Sequence, residues 1–79
     1  MVNREVIISV FREVFQLGPD VDVPTLTYRG IPEWDSVGHM QLVAALETAL
    51  DVMLETDEII DMSSFDKAEE ILARHAADA

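Results

Sequence analysis

The chain has no cysteine and very little positive charge. Because none of its 79 residues is cysteine, neither a disulfide nor a thiolate metal site can support the fold. Five basic residues face 16 acidic ones, which gives a net charge of -11. Such a charge repels phosphate, so we expect neither nucleic acid nor an anionic membrane as a partner. The charge would attract basic protein surfaces, although acidity that only keeps a small protein soluble is an equal alternative.

Long hydrophobic runs are missing as well. The longest, Leu42–Leu46, is far shorter than the roughly 20 residues of a membrane helix. No basic segment followed by a long apolar core marks a signal peptide at the start. We therefore expect a cytoplasmic, monomeric protein with a single domain over residues 1–79. Hydrophobic residues make up 49% of the chain, too many for a disordered chain, so helix packing must supply its stability.

Apolar residues at helical spacing predict a first helix from a cap at Asn3 to about Leu17. Its inner face would comprise Ile7, Val10, Phe11 and Val14, with Phe15 at the edge. Residues 18–35 follow as a long structured loop that holds all three prolines. Within it, residues 21–23 resemble a short strand, but nothing supplies a partner strand. We expect Trp34 to anchor the loop by packing.

Three more helices are predicted, which makes the fold all-α. The second runs from Ser36 to about Val52, and a short third lies within Glu55–Asp61. The last is capped by Ser63 or Ser64, with Asp66 as part of a weak capping box. Its inner face would comprise Phe65, Ala68, Leu72 and Ala76, flanked by Ile71.

The second predicted helix is unusual because it is apolar on two sides. One side is suited to a core and carries Leu42, Val43, Leu46, Ala49 and Leu50. The opposite side carries Val37, Met40, Gln41, Ala44 and Thr48. A chain this small needs only one of these sides for its core. The second side therefore indicates a surface that docks partner proteins, and we expect Met40 to face outward while Met53 and Met62 fill the core.

Ser36 is predicted to be the first residue of this helix, directly after Asp35. Asp35 is a good N-cap, so the Ser36 hydroxyl is not needed for capping and can point outward. Backbone N–H groups and the helix dipole favour an anion such as phosphate at this position. On this local pattern alone, a capping or solvent-facing serine is the more common interpretation.

The segment Asp35-Ser36-Val37, at the head of a helix after a long loop in a small acidic chain, resembles the carrier-protein family. This family includes the acyl carrier proteins and their peptidyl and aryl relatives. Its motif is Asp-Ser-Leu, with valine here in place of leucine, and the resemblance extends over almost the whole chain. It implies a four-helix bundle of the acyl-carrier-protein type, with a long first loop and a short third helix.

The resemblance also implies a carrier and not an enzyme. A phosphopantetheinyl transferase would attach 4'-phosphopantetheine from coenzyme A to Ser36, beside Asp35. The thiol of the arm would hold acyl, aminoacyl or malonyl-type intermediates for loading, condensing and tailoring enzymes. Trp34 and Gly38-His39 resemble discrete carriers of polyketide or nonribosomal peptide pathways. The expected partner-binding residues are Val37, Met40, Gln41, Ala44 and Glu47.

Two alternatives stay open: an acidic helical adaptor that binds basic proteins and carries nothing, and a housekeeping fatty-acid carrier. A hydrolase dyad of Ser36 and His39 is less favoured. Helical geometry turns His39 toward the core, and the sequence suggests neither an orienting residue nor an oxyanion hole. The acidic residues form no calcium-binding loop pattern, so we expect no metal.

Overall fold

The computed structural model describes residues 3–77, with side chains up to His75. Within this range four α-helices follow one another: α1 over Arg4–Phe15, α2 over Ser36–Leu50, α3 over Thr56–Asp61 and α4 over Phe65–Ala77. A single 3₁₀ turn, Val23–Thr25, lies in the long loop between α1 and α2. The described residues contain no β-strand, only an isolated bridge between Thr27 and Ser64. The all-α prediction with a long first loop and a short third helix is therefore confirmed.

Side-chain caps mark the starts of the helices. The Glu5 N–H donates to Asn3 Oδ1 at 2.9 Å, as predicted for the start of α1. At α4 the Lys67 N–H donates to Ser64 Oγ at 3.1 Å, so Ser64 is the cap, and the alternative cap at Ser63 with Asp66 is wrong.

Two helices end earlier than predicted. Gln16 and Asp51 follow α1 and α2, and both adopt the left-handed conformation with φ of 53°. This conformation ends a helix, because it turns the backbone so that the N–H of the next residue donates back to the last turn. The Leu17 N–H donates to the Arg12 carbonyl oxygen at 2.9 Å, and the Val52 N–H donates to the Glu47 carbonyl oxygen at 3.1 Å. Leu17 and Val52 therefore lie outside the helices.

The core is built around an aromatic cluster in which Phe11 is central. Its ring centroid lies 5.3 Å from that of Trp34 and 5.2 Å from that of Phe65, in edge-to-face geometry. Phe15 packs on Trp34 at 5.6 Å and belongs fully to the core, whereas Val14 is only half-buried. Trp34 is completely buried, which confirms that it anchors the loop.

The core-facing side of α2 is close to the prediction. Leu42, Val43 and Leu46 are buried, and Leu50 is half-buried. Ala49 is exposed, because it lies at the edge of the buried stripe and its short methyl group does not reach the core. It lines a surface groove between α1 and α2 instead.

The remaining predictions for the core have mixed outcomes. Met62 is buried as expected, whereas Met53 is 83% exposed and the prediction that it fills the core is wrong. Phe65, Ala68, Ile71 and Leu72 form the inner face of α4 as predicted. The side chain of Ala76 lies outside the described residues.

In the described part of the chain, no helix has both the length and the apolar character needed to cross a membrane.

Candidate functional site

Ser36 is the first residue of α2, and its side chain is exposed. The residue before it, Asp35, is extended and serves as the N-cap, because the Gly38 N–H donates to Asp35 Oδ1 at 2.8 Å. The His39 N–H donates to the Asp35 carbonyl oxygen at 2.8 Å. Asp35 thus fulfils the capping role by itself, and the Ser36 hydroxyl is not required for it.

Gly38 allows the segment before Ser36 to lie directly on the first turn of α2. A Cβ atom at Gly38 would overlap the carbonyl oxygen of Glu33 and approach the Phe15 ring to 3.3 Å. Only glycine leaves room for this close passage. A glycine in the first turn of a helix is unfavourable by itself, which is the one signal in the sequence that points to this contact.

The loop before Ser36 is fastened by backbone hydrogen bonds. The Arg29 N–H donates to the Trp34 carbonyl oxygen at 2.9 Å, and the Tyr28 N–H donates to the Ser63 carbonyl oxygen at 2.8 Å. Arg29 has a φ of 65°, a conformation that few non-glycine residues adopt. Together with the buried Trp34 ring, these bonds fix the approach of the chain to Ser36.

His39 bonds away from Ser36. Trp34 Nε1–H donates to His39 Nδ1 at 2.9 Å, and His39 Nε2 lies 2.7 Å from the Ile59 carbonyl oxygen. The imidazole lies nearly parallel to the indole, with an interplanar angle of 17°. Since both ring nitrogens are engaged by the loop and by α3, the arrangement gives no support to a Ser36–His39 hydrolase dyad.

An apolar groove of about 360 Å³ opens beside Ser36. Met40 on α2 and Ile60 on α3 are large hydrophobic residues there that stay 54% and 73% exposed. The full lining is Tyr28, Ser36, His39, Met40, Ile59, Ile60, Met62 and Ser63. The contribution of α3 was missed in the sequence, where only the pair Ile59-Ile60 within a polar stretch signals an apolar surface.

Four of the five predicted partner-binding residues lie on the exposed side of α2, which we call the outer strip: Val37, Met40, Gln41 and Ala44. Val37 is 66% exposed, the most of the large hydrophobic residues on α2. The fifth residue, Glu47, is half-buried, and the Leu54 N–H donates to its Oε2 at 2.9 Å. Glu47 therefore has a structural role, because it fastens the linker between α2 and α3.

Two charged groups near the groove have shifted pKa values. Hydrogen bonding to Tyr28 raises the pKa of the Arg29 guanidinium, and the Asp35 carboxylate adds a smaller effect in the same direction. On α3, the Glu55 backbone N–H lowers the pKa of Glu58, and the His75 side chain lowers it further. Within residues 3–77 no group of three His, Asp or Glu side chains is placed to hold a metal ion.

Comparisons with known proteins add no relative. No protein-family model, curated protein or solved structure matches this chain. Its function must therefore be inferred from the Ser36 site itself.

Proposed function

We propose that this protein is a carrier that receives 4'-phosphopantetheine on Ser36 and presents acyl, aminoacyl or malonyl-type intermediates to enzymes. The observation that carries the proposal is the position of Ser36. It is exposed at the first position of a helix whose cap is supplied by Asp35, and it borders an open apolar groove. A nucleophile presented to another enzyme needs this accessibility, and a serine that only caps a helix does not.

The attachment step requires a phosphopantetheinyl transferase. In this step Ser36 Oγ forms a bond to the phosphorus next to the pantetheine of coenzyme A. The pyrophosphate bond breaks, adenosine 3',5'-bisphosphate leaves, and the serine proton passes to a base of the transferase. The new phosphodiester anion would lie at the start of α2, where the helix dipole favours negative charge. When attached, the arm supplies the thiol that holds the cargo as a thioester.

The surroundings of Ser36 fit such a group. The Asp35 cap and the close passage at Gly38 hold the serine on a rigid helix start and not on a mobile loop. The outer strip offers a partner enzyme an apolar contact area beside the serine. Buried apolar anchors supply most of the binding energy in protein interfaces, whereas rim charges mainly tune association rates.

The more specific proposal is a discrete cytoplasmic carrier of a polyketide or nonribosomal peptide pathway. The outer strip supports it, because its residues are uncharged although the chain as a whole has a net charge of -11. A housekeeping fatty-acid carrier of the family would present acids there. The acidic adaptor is the second candidate, and the net charge is the observation that favours it.

Intact mass spectrometry after incubation with coenzyme A and a broad-specificity transferase tests the proposal. We expect the wild type to gain the mass of one phosphopantetheine group and the variant Ser36→Ala to gain nothing. Ser63→Ala is the matched control, because Ser63 lines the same groove and should not affect the gain. A gain in Ser36→Ala would refute the attachment site. If the wild type gains nothing with several transferases, the adaptor becomes the better explanation.

A further inference from the structure

The His39 side chain joins three parts of the molecule around the Ser36 groove. It belongs to the first turns of α2, it accepts from Trp34 Nε1–H in the loop, and it reaches the Ile59 carbonyl oxygen in α3. Trp34 and Ile59 are far apart in sequence, so this side chain connects the fixed loop to the opposite wall of the groove. The two bonds, at 2.9 Å and 2.7 Å, are both short enough to be well formed.

The position of α3 depends on such polar links. This helix has six residues, none of which is buried, and its Ile60 is 73% exposed. Its apolar anchors are Met62 at its end, which is buried, and Ile59, which is half-buried and packs against the core. The helix itself thus adds little to the core, and segments of this kind open more readily than a packed core. Yet α3 and its end supply Ile59, Ile60 and Met62 to the groove. A change in the His39 link would thus move one wall of the groove beside Ser36.

The two partners of His39 define its protonation state. The indole N–H of Trp34 can only donate, so His39 Nδ1 must carry a lone pair. The Ile59 carbonyl oxygen can only accept, so Nε2 must carry the hydrogen. The arrangement therefore requires the neutral Nε2–H tautomer.

We infer that His39 is a positioning residue, which in its neutral Nε2–H form holds α3 against the loop and keeps the groove beside Ser36 in shape. The consequence for cargo rests on the proposed function of Ser36, whereas the two bonds from His39 to Trp34 and Ile59 do not depend on that function.

Protonation would place a second N–H against the indole N–H of Trp34. The Trp34 side chain is completely buried, so its N–H could not turn to water and would lose its acceptor. The titratable and charged groups on the loop and on α3 are Tyr28, Arg29, Glu33, Asp35, Asp57, Glu58 and Asp61. Of these, the Tyr28 ring contacts the imidazole at 5.4 Å between centroids, while Asp35 is bound to Gly38 and Glu58 to His75. The ring nitrogens are thus bonded to Trp34 and Ile59 and not to a carboxylate that would favour the charged form.

The composition of the chain makes the link measurable. It contains one tryptophan and two histidines, so indole fluorescence and the indole N–H resonance report on Trp34 alone. His75, the other histidine, bonds to Glu58 at 2.8 Å and provides the matched control. The variant His39→Gln offers an acceptor oxygen and a donor NH2 group, so it can replace both bonds of the neutral imidazole, but it has no ionisable ring.

The experiment compares the Trp34 indole N–H resonance and fluorescence at one neutral pH in the wild type, His39→Ala, His39→Gln and His75→Gln. We expect both Trp34 signals to change in His39→Ala, to be largely restored in His39→Gln, and to stay as in the wild type in His75→Gln. At the same pH, amide exchange in residues 56–62 should be roughly 2- to 10-fold faster in His39→Ala than in the wild type, the effect of losing one hydrogen bond. If His39→Ala shows the Trp34 signals and the exchange rates of the wild type, the inference is overturned.

Two further measurements keep the result unambiguous. Nitrogen resonances of the imidazole in the wild type report the tautomer, and an Nδ1–H form overturns the inference. Transferase kcat/KM should fall in His39→Ala relative to the wild type and be restored in His39→Gln. Failure of Ser36 to be modified in the wild type would refute the proposed function and leave the Trp34 result standing.

Discussion

The two walls of the Ser36 groove differ in how they are held. The loop wall is anchored by Trp34, which is completely buried among Phe11 and Phe15, and by backbone bonds such as that of Arg29 to Trp34. Helix α3 itself has no buried residue, although Met62 at its end is buried, and the helix depends on polar links from His39 and His75. Ser36 stands on the side that is held by packing. The difference indicates that a rigid attachment point faces a wall that can move.

The largest effect should come from removing the anchor of the rigid wall. Trp34→Ala should lower the free energy of unfolding by about 3–5 kcal/mol, because it removes buried apolar surface and leaves a cavity. In a domain of marginal stability this change can unfold much of the population. Ile60→Ala on the α3 wall should change it by less than about 0.5 kcal/mol, because Ile60 is largely exposed. Urea unfolding followed by circular dichroism gives both values, and equal losses would contradict the contrast between the walls.

A second pair of variants compares the stability contributed by the buried side of α2 with that contributed by its exposed side. Leu46 is fully buried, so we expect a loss of about 2–4 kcal/mol from lost burial and a cavity. Thr48→Ala, on the exposed side, should have a much smaller effect. An unchanged thermal midpoint in Leu46→Ala would show that the burial assigned to this face of α2 is wrong.

The next effect concerns the close passage of the loop over α2. Gly38→Ala should lower the free energy of unfolding by about 1–3 kcal/mol, because the new Cβ overlaps the Glu33 carbonyl oxygen and forces the backbone apart. Gly18→Ala is the matched control, since nothing lies within 4 Å of a Cβ there. Chemical denaturation measures both. A Gly38→Ala variant as stable as the wild type would mean that the loop does not rest on α2.

Sequence periodicity and cap chemistry predicted much of this rigid half. The core side of α2, the outer strip and the Asp35 cap all follow from residues within a few positions of one another. The same local logic could not find the groove, because it depends on contacts between distant residues. His39 and Ile59 are 20 positions apart, and Glu47 and Leu54 are seven apart. Glu47 was predicted to bind partners, and the local pattern could not show that its carboxylate also accepts from the Leu54 N–H and fastens a linker.

Substitutions in the outer strip test recognition by the transferase, and their expected energetic effect is smaller than that of the core substitutions. Met40→Glu or Val37→Asp should lower transferase kcat/KM several-fold, because a charge would replace an apolar contact beside Ser36. Helical circular dichroism should remain intact, since both residues are more than half exposed. Thr48→Glu is the control for charge alone, because it lies on the same side farther from Ser36.

The variant Glu47→Lys tests whether the negative charge of Glu47 attracts the transferase, apart from its structural bond to Leu54. Its effect on modification should be weaker than that of Met40→Glu and confined mainly to low salt, where charges are least screened. It should also lower stability, because the Leu54 N–H loses its acceptor. If the two apolar-strip variants match the wild type while Glu47→Lys abolishes modification, charge and not apolar docking directs the transferase.

The smallest effect should appear in the pH dependence of the α3 wall. The Glu55 N–H and His75 hold the pKa of Glu58 below its ordinary value of 4.5. A carboxylate whose pKa is lower in the folded state adds stability that is fully present above its unfolded value and is lost as pH falls through the folded value. The difference in unfolding free energy between wild type and Glu58→Gln should therefore favour the wild type at neutral pH and shrink below pH 4.5. The control Glu70→Gln removes an exposed carboxylate that lies 3.9 Å from Lys67, and it should change stability little. Urea unfolding at a series of acidic pH values measures this difference, and one that stays constant into acid would mean that the Glu58 charge does not hold α3 to α4.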